Sequence, residues 1–243
     1  MQFASGAGDE TNRIAGVLRN PGLEEHESKH PVHSATTGPG SMGQVDDEQT
    51  IGEDFSDSRL DGREWSGRQF VRCTFRDADM SNVRTDSVVF TECDFTGTDL
   101  TDSVHTNSAF RSCTFTRTNL QHSVFRHSTM MGSVFVDTRM RPATYDEVDF
   151  TLASLGNADL RGVDLTGCRM REANLTSTDL RKAVLRSVDL AGARTVGAKM
   201  EESDLRGAVV DASLWVGAGV RGAKIELMQA VAFAAAQGLI VES

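Results

Sequence analysis

From Leu60 to Ile225 every fifth residue of the chain is large and apolar, and the residue two places before it is small. Of the 34 positions numbered by multiples of five in that stretch, 31 are Leu, Phe, Met, Val, Ile, Trp or Tyr; the exceptions are Thr85, His105 and Thr195. Two residues upstream, only Arg63 and Arg68 depart from Ala, Ser, Thr, Cys or Val. A helix buries one face with a period of 3.6 and a half-buried strand with a period of 2, so neither produces this spacing. A short fixed period sustained so long predicts a solenoid, whose units stack to bury a shared core.

Each five-residue unit sends its large and its small residue inward and leaves three positions for water, as in Ala158-Asp159-Leu160-Arg161-Gly162. A backbone that turns a corner after each unit closes a square coil of four units. The recurrence of Phe70, Phe90 and Phe110, of Phe75, Phe95 and Phe115, and of Cys73, Cys93 and Cys113 fits such a coil of 20 residues, with like stacked on like. At the strand spacing of about 4.8 Å, roughly eight coils make a rod about 40 Å long. Gly62, Gly97, Gly162 and other glycines fall two places after the large residue, where a corner of positive φ would favour them. Ten of the twelve phenylalanines lie on the lattice and none does after Phe150, where Leu takes over. The first half is therefore expected to be wider or differently turned, with a local distortion at Pro142 and Tyr145. Register never slips, so no loop is expected inside the coil.

The ends differ. Residues 1–50 have no period and carry Gly, Pro, Ser and scattered charge, which reads as a disordered extension, with Met42 a possible functional start. Residues 51–225 form the β-helix, and 226–243 form a cap. Glu226 to Gln237 reads as a helix with Leu227, Ala230, Val231 and Ala234 on one side, Gly238 as its stop, and Leu239-Ile240-Val241 as a short strand after it. An open solenoid end exposes core and needs covering. This cap is more apolar than a monomer requires, so Met228, Val231 and Phe233 are assigned to a homodimer through the C-terminus.

Charge narrows the function. The net charge is −10, and the first 50 residues hold eight acidic against three basic residues, which argues against a basic nucleic-acid binder. Nothing is long and apolar enough to span a membrane, and no signal peptide precedes the repeats, so the cytoplasm is the expected compartment. Cys73, Cys93, Cys113 and Cys168 all occupy the small inward position, have no zinc-type spacing, and are expected to be buried free thiols. His26, His30 and His33 sit close together with Pro31 among them and no fold to hold a metal. His105 occupies a core position one coil from Thr85, where a hydrogen bond between the two would satisfy both. No nucleophile–base pair, phosphate-cradling loop or carboxylate dyad is present, and a filled coil leaves no room for substrate. Neither enzyme activity nor a cofactor or metal is expected.

Asp79, Asp99, Asp159 and Asp179 fall in one column along the rod, continued by Asn119 and interrupted by Arg139 and Lys199. Two readings are open: local hydrogen bonds to the backbone at the corners, or a row of carboxylates presented to a basic partner. Net charges summed over the four faces from residue 53 to 227 are 0, −1, 0 and −3, so no face is a strong acidic stripe. By themselves these sums favour the local reading.

Ala158-Asp159-Leu160, Ala173-Asn174-Leu175, Thr178-Asp179-Leu180 and Val188-Asp189-Leu190 resemble the unit of the pentapeptide-repeat proteins, over about residues 53–225. Stretches such as Ser133-Val134-Phe135-Val136 and the ending Gln229 to Leu239 are similar to the mycobacterial fluoroquinolone-resistance members of that family. The likeness implies an all-β, right-handed quadrilateral β-helix with a short C-terminal helical cap, dimerised at its C-termini. It also implies a DNA-mimicking rod that binds DNA gyrase and counters quinolones. Asp79, Asp99, Asp159 and Asp179 would then be its partner contacts. A non-enzymatic scaffold for a different cytoplasmic partner is the alternative. The inward lattice itself is testable: Leu165→Lys should collapse the neighbouring coils, since a lone buried charge has no compensation there. Retention of the parental melting temperature would refute the inward assignment.

Overall fold

The computed structural model describes residues 49–242. The three N-terminal histidines, Met42, the acidic run Asp46-Asp47-Glu48 and the expected disorder up to residue 48 lie outside it. Within the described residues the chain is a four-sided β-solenoid whose backbone pairs residue n with residue n+20. Gln49–Ile51, Gln69–Val71, Val89–Thr91 and Ala109–Arg111 stack in parallel on one face. Glu64–Ser66, Arg84–Asp86, Val104–Thr106, Val124–Arg126 and Thr144–Asp146 stack on another. Thr114–Thr116 pairs with Val134–Val136 on a third. The face carrying Asp79 and Asp99 is joined by single bridges only. The coil already includes Gln49 and Thr50, two residues earlier than the periodicity marks.

Phe70 and Phe75 show how a unit is held. Both side chains are buried, and each stacks face to face on the phenylalanine one coil away, with centroids 5.0 Å apart for Phe70–Phe90 and 5.1 Å for Phe75–Phe95. Columns of such offset rings add to the burial of their area. The small inward residue has its own task. In many units its hydroxyl or thiol reaches the carbonyl of a lattice residue in the coil before, as Thr98 Oγ1 does on Phe75 O at 2.6 Å, Ser133 Oγ on Phe110 O at 2.8 Å and Cys113 Sγ on Phe90 O at 3.5 Å. In others, such as Ser103 Oγ on Leu100 O at 2.7 Å, it reaches the preceding unit. Thr, Ser and Cys are therefore satisfied where an unpaired buried hydroxyl would be costly.

Corners come in two forms. In one, the residue three places on closes a tight turn, as Ala78 N does on Phe75 O at 3.2 Å. In the other, the unit is a three-residue strand, and the corresponding N–H bonds a serine of the next coil instead, as Val88 N does on Ser108 Oγ and Cys113 N on Ser133 Oγ. Strands of this second kind end at Thr144–Asp146, so the two halves do turn differently. In both forms the second residue after the lattice position has positive φ. Glycine supplies it at Gly97 and Gly162, but Asp77, Asn82, Lys182 and even Leu152 adopt it too. The backbone ladder, in which Asp77 N donates to Thr96 O at 2.9 Å, holds the corner whatever the side chain. The expected distortion sits at Pro142, where the Arg141–Pro142 peptide is cis and Tyr145 Oη donates to Met140 O at 3.0 Å.

The C-terminal end departs from the lattice. Residues Ala212–Gly217 form a helix, α1, although Trp215 keeps its place in the five-residue count. Leu214 stands where most other units carry an outward residue, and in the helix both it and Trp215 are buried. The second helix, α2 (Leu227–Ala236), has the expected limits: Glu226 and Gln229 form a capping box. Gly238 at φ 80°, with Gly238 N on Ala235 O and Leu239 N on Ala234 O, closes it as a Schellman motif. Gln229 Nε2 donates to Leu205 O and Ala208 O, covering the last carbonyls of the coil. Leu239–Val241 is not a strand: among the described residues it pairs with no other segment, and it is exposed.

Two of the three lattice exceptions, Thr85 and His105, share one buried polar knot. Thr85 Oγ1 lies 2.8 Å from His105 Nδ1 and 2.9 Å from Ser108 Oγ, and His105 Nε2 lies 3.0 Å from Ser103 Oγ. The ring stacks on Phe125, centroids 4.7 Å apart. Burial pushes the His105 pKa down to about 3, so the folded ring stays neutral. In the unfolded chain its pKa is about 6.5. Stability from this source is thus fully present above pH 6.5 and is lost as pH falls towards 3. His105→Phe should keep the stack and shrink the stability difference between pH 7 and pH 4.5 by roughly 2–3 kcal/mol in urea unfolding. An unchanged difference would mean that the ring is protonated in the fold.

Candidate functional site

A filled solenoid offers its faces rather than a cleft. Asp79 and Asp99 are neighbours in one bridged column that continues to Asn119 and Arg139, and Asp159 and Asp179 are neighbours further along. All four use Oδ1 locally. Asp79 Oδ1 accepts from Ser81 N at 3.1 Å and Ser81 Oγ at 2.7 Å, and Asp99 Oδ1 accepts from Thr101 N at 2.9 Å and from Thr101 Oγ1. The same turn is made by Asp94, Asp149, Asp164 and Asp189, so the aspartate before the lattice residue is first a corner-former.

The four differ in what else they meet. Arg161 Nε and Nη2 clasp Asp159 at 2.8 and 2.7 Å, and Arg181 clasps Asp179 at 2.9 and 2.6 Å. These bonds hold both carboxyls below their ordinary range. Asp79 and Asp99 have serine and threonine in those places. The zero sum on this face therefore hides a division. From residue 58 to 122 its charged residues are Arg59, Asp61, Asp79, Asp99 and Asp102. From 138 to 222 they are Arg139, Arg141, Asp159, Arg161, Asp179, Arg181, Lys182, Lys199, Glu201, Glu202 and Arg221. The face runs from acidic to basic along the rod. Summing over whole faces conceals this, whereas summing over half-faces of the same sequence reveals it.

The second candidate surface is the C-terminal end. Met228 is 73% exposed, and with it Leu227, Val216, Val196, Leu239 and Ile240 are bare. Phe233 is not among them: its ring meets Trp215 edge-on, centroids 5.9 Å apart, and so closes the core. Val231 is half-buried. Leu227, expected on the apolar side of the helix, faces out at 79% exposure. The missed residues follow Gly238, where an apolar run suggested a strand instead of an exposed apolar tail.

Candidate chemistry elsewhere is muted. The four cysteines are free and buried, and burial pushes the Cys168 thiol up to about 12. Burial likewise raises the Tyr145 hydroxyl pKa. Among the described residues no group of three His, Cys, Asp or Glu is placed to hold a metal, and no helix is long and apolar enough to cross a membrane.

The family model for pentapeptide repeats matches residues 69–104, 146–167 and 168–207, in eight copies. Over 29 residues the chain is 69% identical to the pentapeptide repeat protein MfpA of Mycobacterium tuberculosis; the match spans 12% of this chain and 16% of that protein's length. A trypsin-treated form of QnrB1, a plasmid-mediated fluoroquinolone resistance protein, superposes with a TM-score of 0.62 at 18% identity, covering 80% of this chain and 99% of that one. Full-length QnrB1 gives 0.55 at 17% identity, covering 79% and 97%. At such identity the structural likeness is one of fold.

Proposed function

We propose that this chain, which carries the repeats of the pentapeptide-repeat family and the fold of QnrB1, is a non-enzymatic, DNA-mimicking protein of the cytoplasm. In this reading it binds DNA gyrase, modulates it and protects it from fluoroquinolones. The observation that carries the proposal is a solenoid with no loop inserted in its coil, whose one face bears unclasped aspartates in its first half and whose C-terminal end is apolar. The likeness to fluoroquinolone-resistance proteins supplies the partner. Duplex DNA carries a charge every 1.7 Å or so, far denser than this rod, so the mimicry works through shape and local acidic clusters. Asp79 and Asp99 are the electrostatic contacts of this proposal. Asp159 and Asp179, already clasped by arginine, contribute form more than field.

Joining two copies through the C-terminal end covers Met228, Leu227 and Ile240 and puts the acidic halves at the outer ends of a doubled rod. Met228→Asp with Ile240→Asp should then give monomers by light scattering while leaving the melting temperature nearly unchanged. A persistent dimer would place the interface elsewhere. Phe233→Arg should instead lower the melting temperature, because it uncovers Trp215.

The deciding assay is gyrase supercoiling, with and without a fluoroquinolone, over a titration of this protein. Rescue of drug-treated enzyme or dose-dependent modulation is expected, weakening as salt rises. Asp79→Lys with Asp99→Lys should weaken the effect about tenfold. No effect at micromolar intact protein would overturn gyrase as the partner and leave a scaffold for another.

A further inference from the structure

The basic half of the divided face contains a hollow of about 450 Å³, lined by Arg141, Arg161, Gly162, Arg181, Lys182 and Glu202. The hollow is an open depression on the face rather than an enclosed cavity. Arg141, Arg161 and Arg181 occupy one column at 20-residue steps. Arg161 and Arg181 stand on paired coils with backbones about 4.8 Å apart, and Arg141 precedes them beside the cis Arg141–Pro142 peptide. Two of the three guanidinium groups are fixed in place. Each of Arg161 and Arg181 gives its Nε and Nη2 edge to the aspartate two residues before it, and Arg161 Nε also lies 3.7 Å from Asp179 Oδ2. A guanidinium is planar, so a carboxylate on that edge leaves the Nη1 side turned away from it. Arg141 is held more loosely. Its Nε is 2.9 Å from Asp159 Oδ1, out of line for a hydrogen bond, and its Nη1 reaches Arg161 O at 3.5 Å.

Gly162 is the floor of the hollow. It sits in the corner column between Pro142 and Lys182, and nothing lies within 4 Å of where its Cβ would be. Lys182 stands at the rim, 3.7 Å from Glu202 Oε2, with both side chains well exposed. The surroundings limit what can enter. Asp61, Asp79, Asp99 and Asp102 precede the basic stretch on the same face, and Glu201 and Glu202 follow it. A long polyanion such as duplex DNA would meet like charge at both ends, whereas a compact anion would not.

We infer that Arg141, Arg161, Arg181 and Lys182 form a binding site for a small anion with consecutive phosphates, such as inorganic triphosphate or the phosphate tail of a nucleotide. The aspartates orient the guanidinium groups, and the exposed edges take the phosphate oxygens as charge-assisted hydrogen bonds. The site does not depend on the identity of the protein partner.

The test is isothermal titration calorimetry of the full chain at low ionic strength, with inorganic triphosphate as the probe. Saturable binding that weakens with added salt is expected. Arg161→Gln with Arg181→Gln should weaken it by at least about tenfold, since two charge-assisted contacts are lost. Lys182→Gln, at an exposed position with little risk to folding, should weaken it several-fold, by roughly one lost contact. Arg206→Gln is the control. Asp204 clasps Arg206 in the same way on a different face, so triphosphate binding should be unchanged. ATP binding as tightly as triphosphate, with AMP much weaker, would assign recognition to the phosphates. ATP and AMP binding alike would overturn that assignment. Absence of saturable binding at millimolar triphosphate, or full binding in both the double variant and Lys182→Gln, would overturn the site.

Discussion

The parallel hydrogen-bond ladder between residue n and residue n+20 is the constraint on which the rest of the molecule depends. It fixes the inward direction of each lattice residue, because a slip by one position would turn the core outward. It also sets phenylalanine over phenylalanine at ring-stacking distance, as in the run through Phe75, Phe95, Phe115 and Phe135. The corners follow from it as well. A left-handed residue such as Leu152 costs about 1 kcal/mol or more in isolation, and the ladder on either side holds it there. Thr98, Ser133 and Cys113 then tie each coil to the one before through their hydroxyls and thiol, so the core is cross-linked by polar atoms without exposing any to water.

Much of this was legible because the period leaves so little freedom. Leu165, Phe90 and Ala173 could be placed inside from position alone, and the contact between Thr85 and His105 followed from a 20-residue coil. The limits of α2 were legible for a different reason: Glu226, Gln229 and Gly238 are local signals whose chemistry needs no tertiary context. What escaped was decided by contacts the count of five does not contain. Trp215 keeps the lattice number while its backbone becomes helical and Leu214 beside it is also buried. Phe233 reads as surplus apolar area, yet it is the lid over Trp215. Leu239–Val241 reads as a short apolar strand, but it lies exposed with no strand beside it among the described residues.

The candidate surface was half legible. The aspartate column could be drawn from the sequence, and its local turn chemistry anticipated. The arginine two residues after Asp159 and Asp179 was equally visible, but whether it clasps the carboxylate or reaches into solvent depends on rotamers the coil imposes. The same corner motif therefore yields an open acidic surface near Asp79 and a rigid, cation-rich one near Arg161.

Left-handed corners that hold lysine, leucine or asparagine as well as glycine have a further consequence. Of the three outward positions in every five, the one before the lattice residue shapes the corner and the other two carry no packing duty, so the electrostatic field of each face can be rewritten with the core left in place. A rod of this kind resembles a tape on which charge is recorded. Two of them can be superposable along their length and still present opposite fields to a partner. Overall sequence identity is then a poor ruler of shared binding, and the order of charges along a single face is a better one.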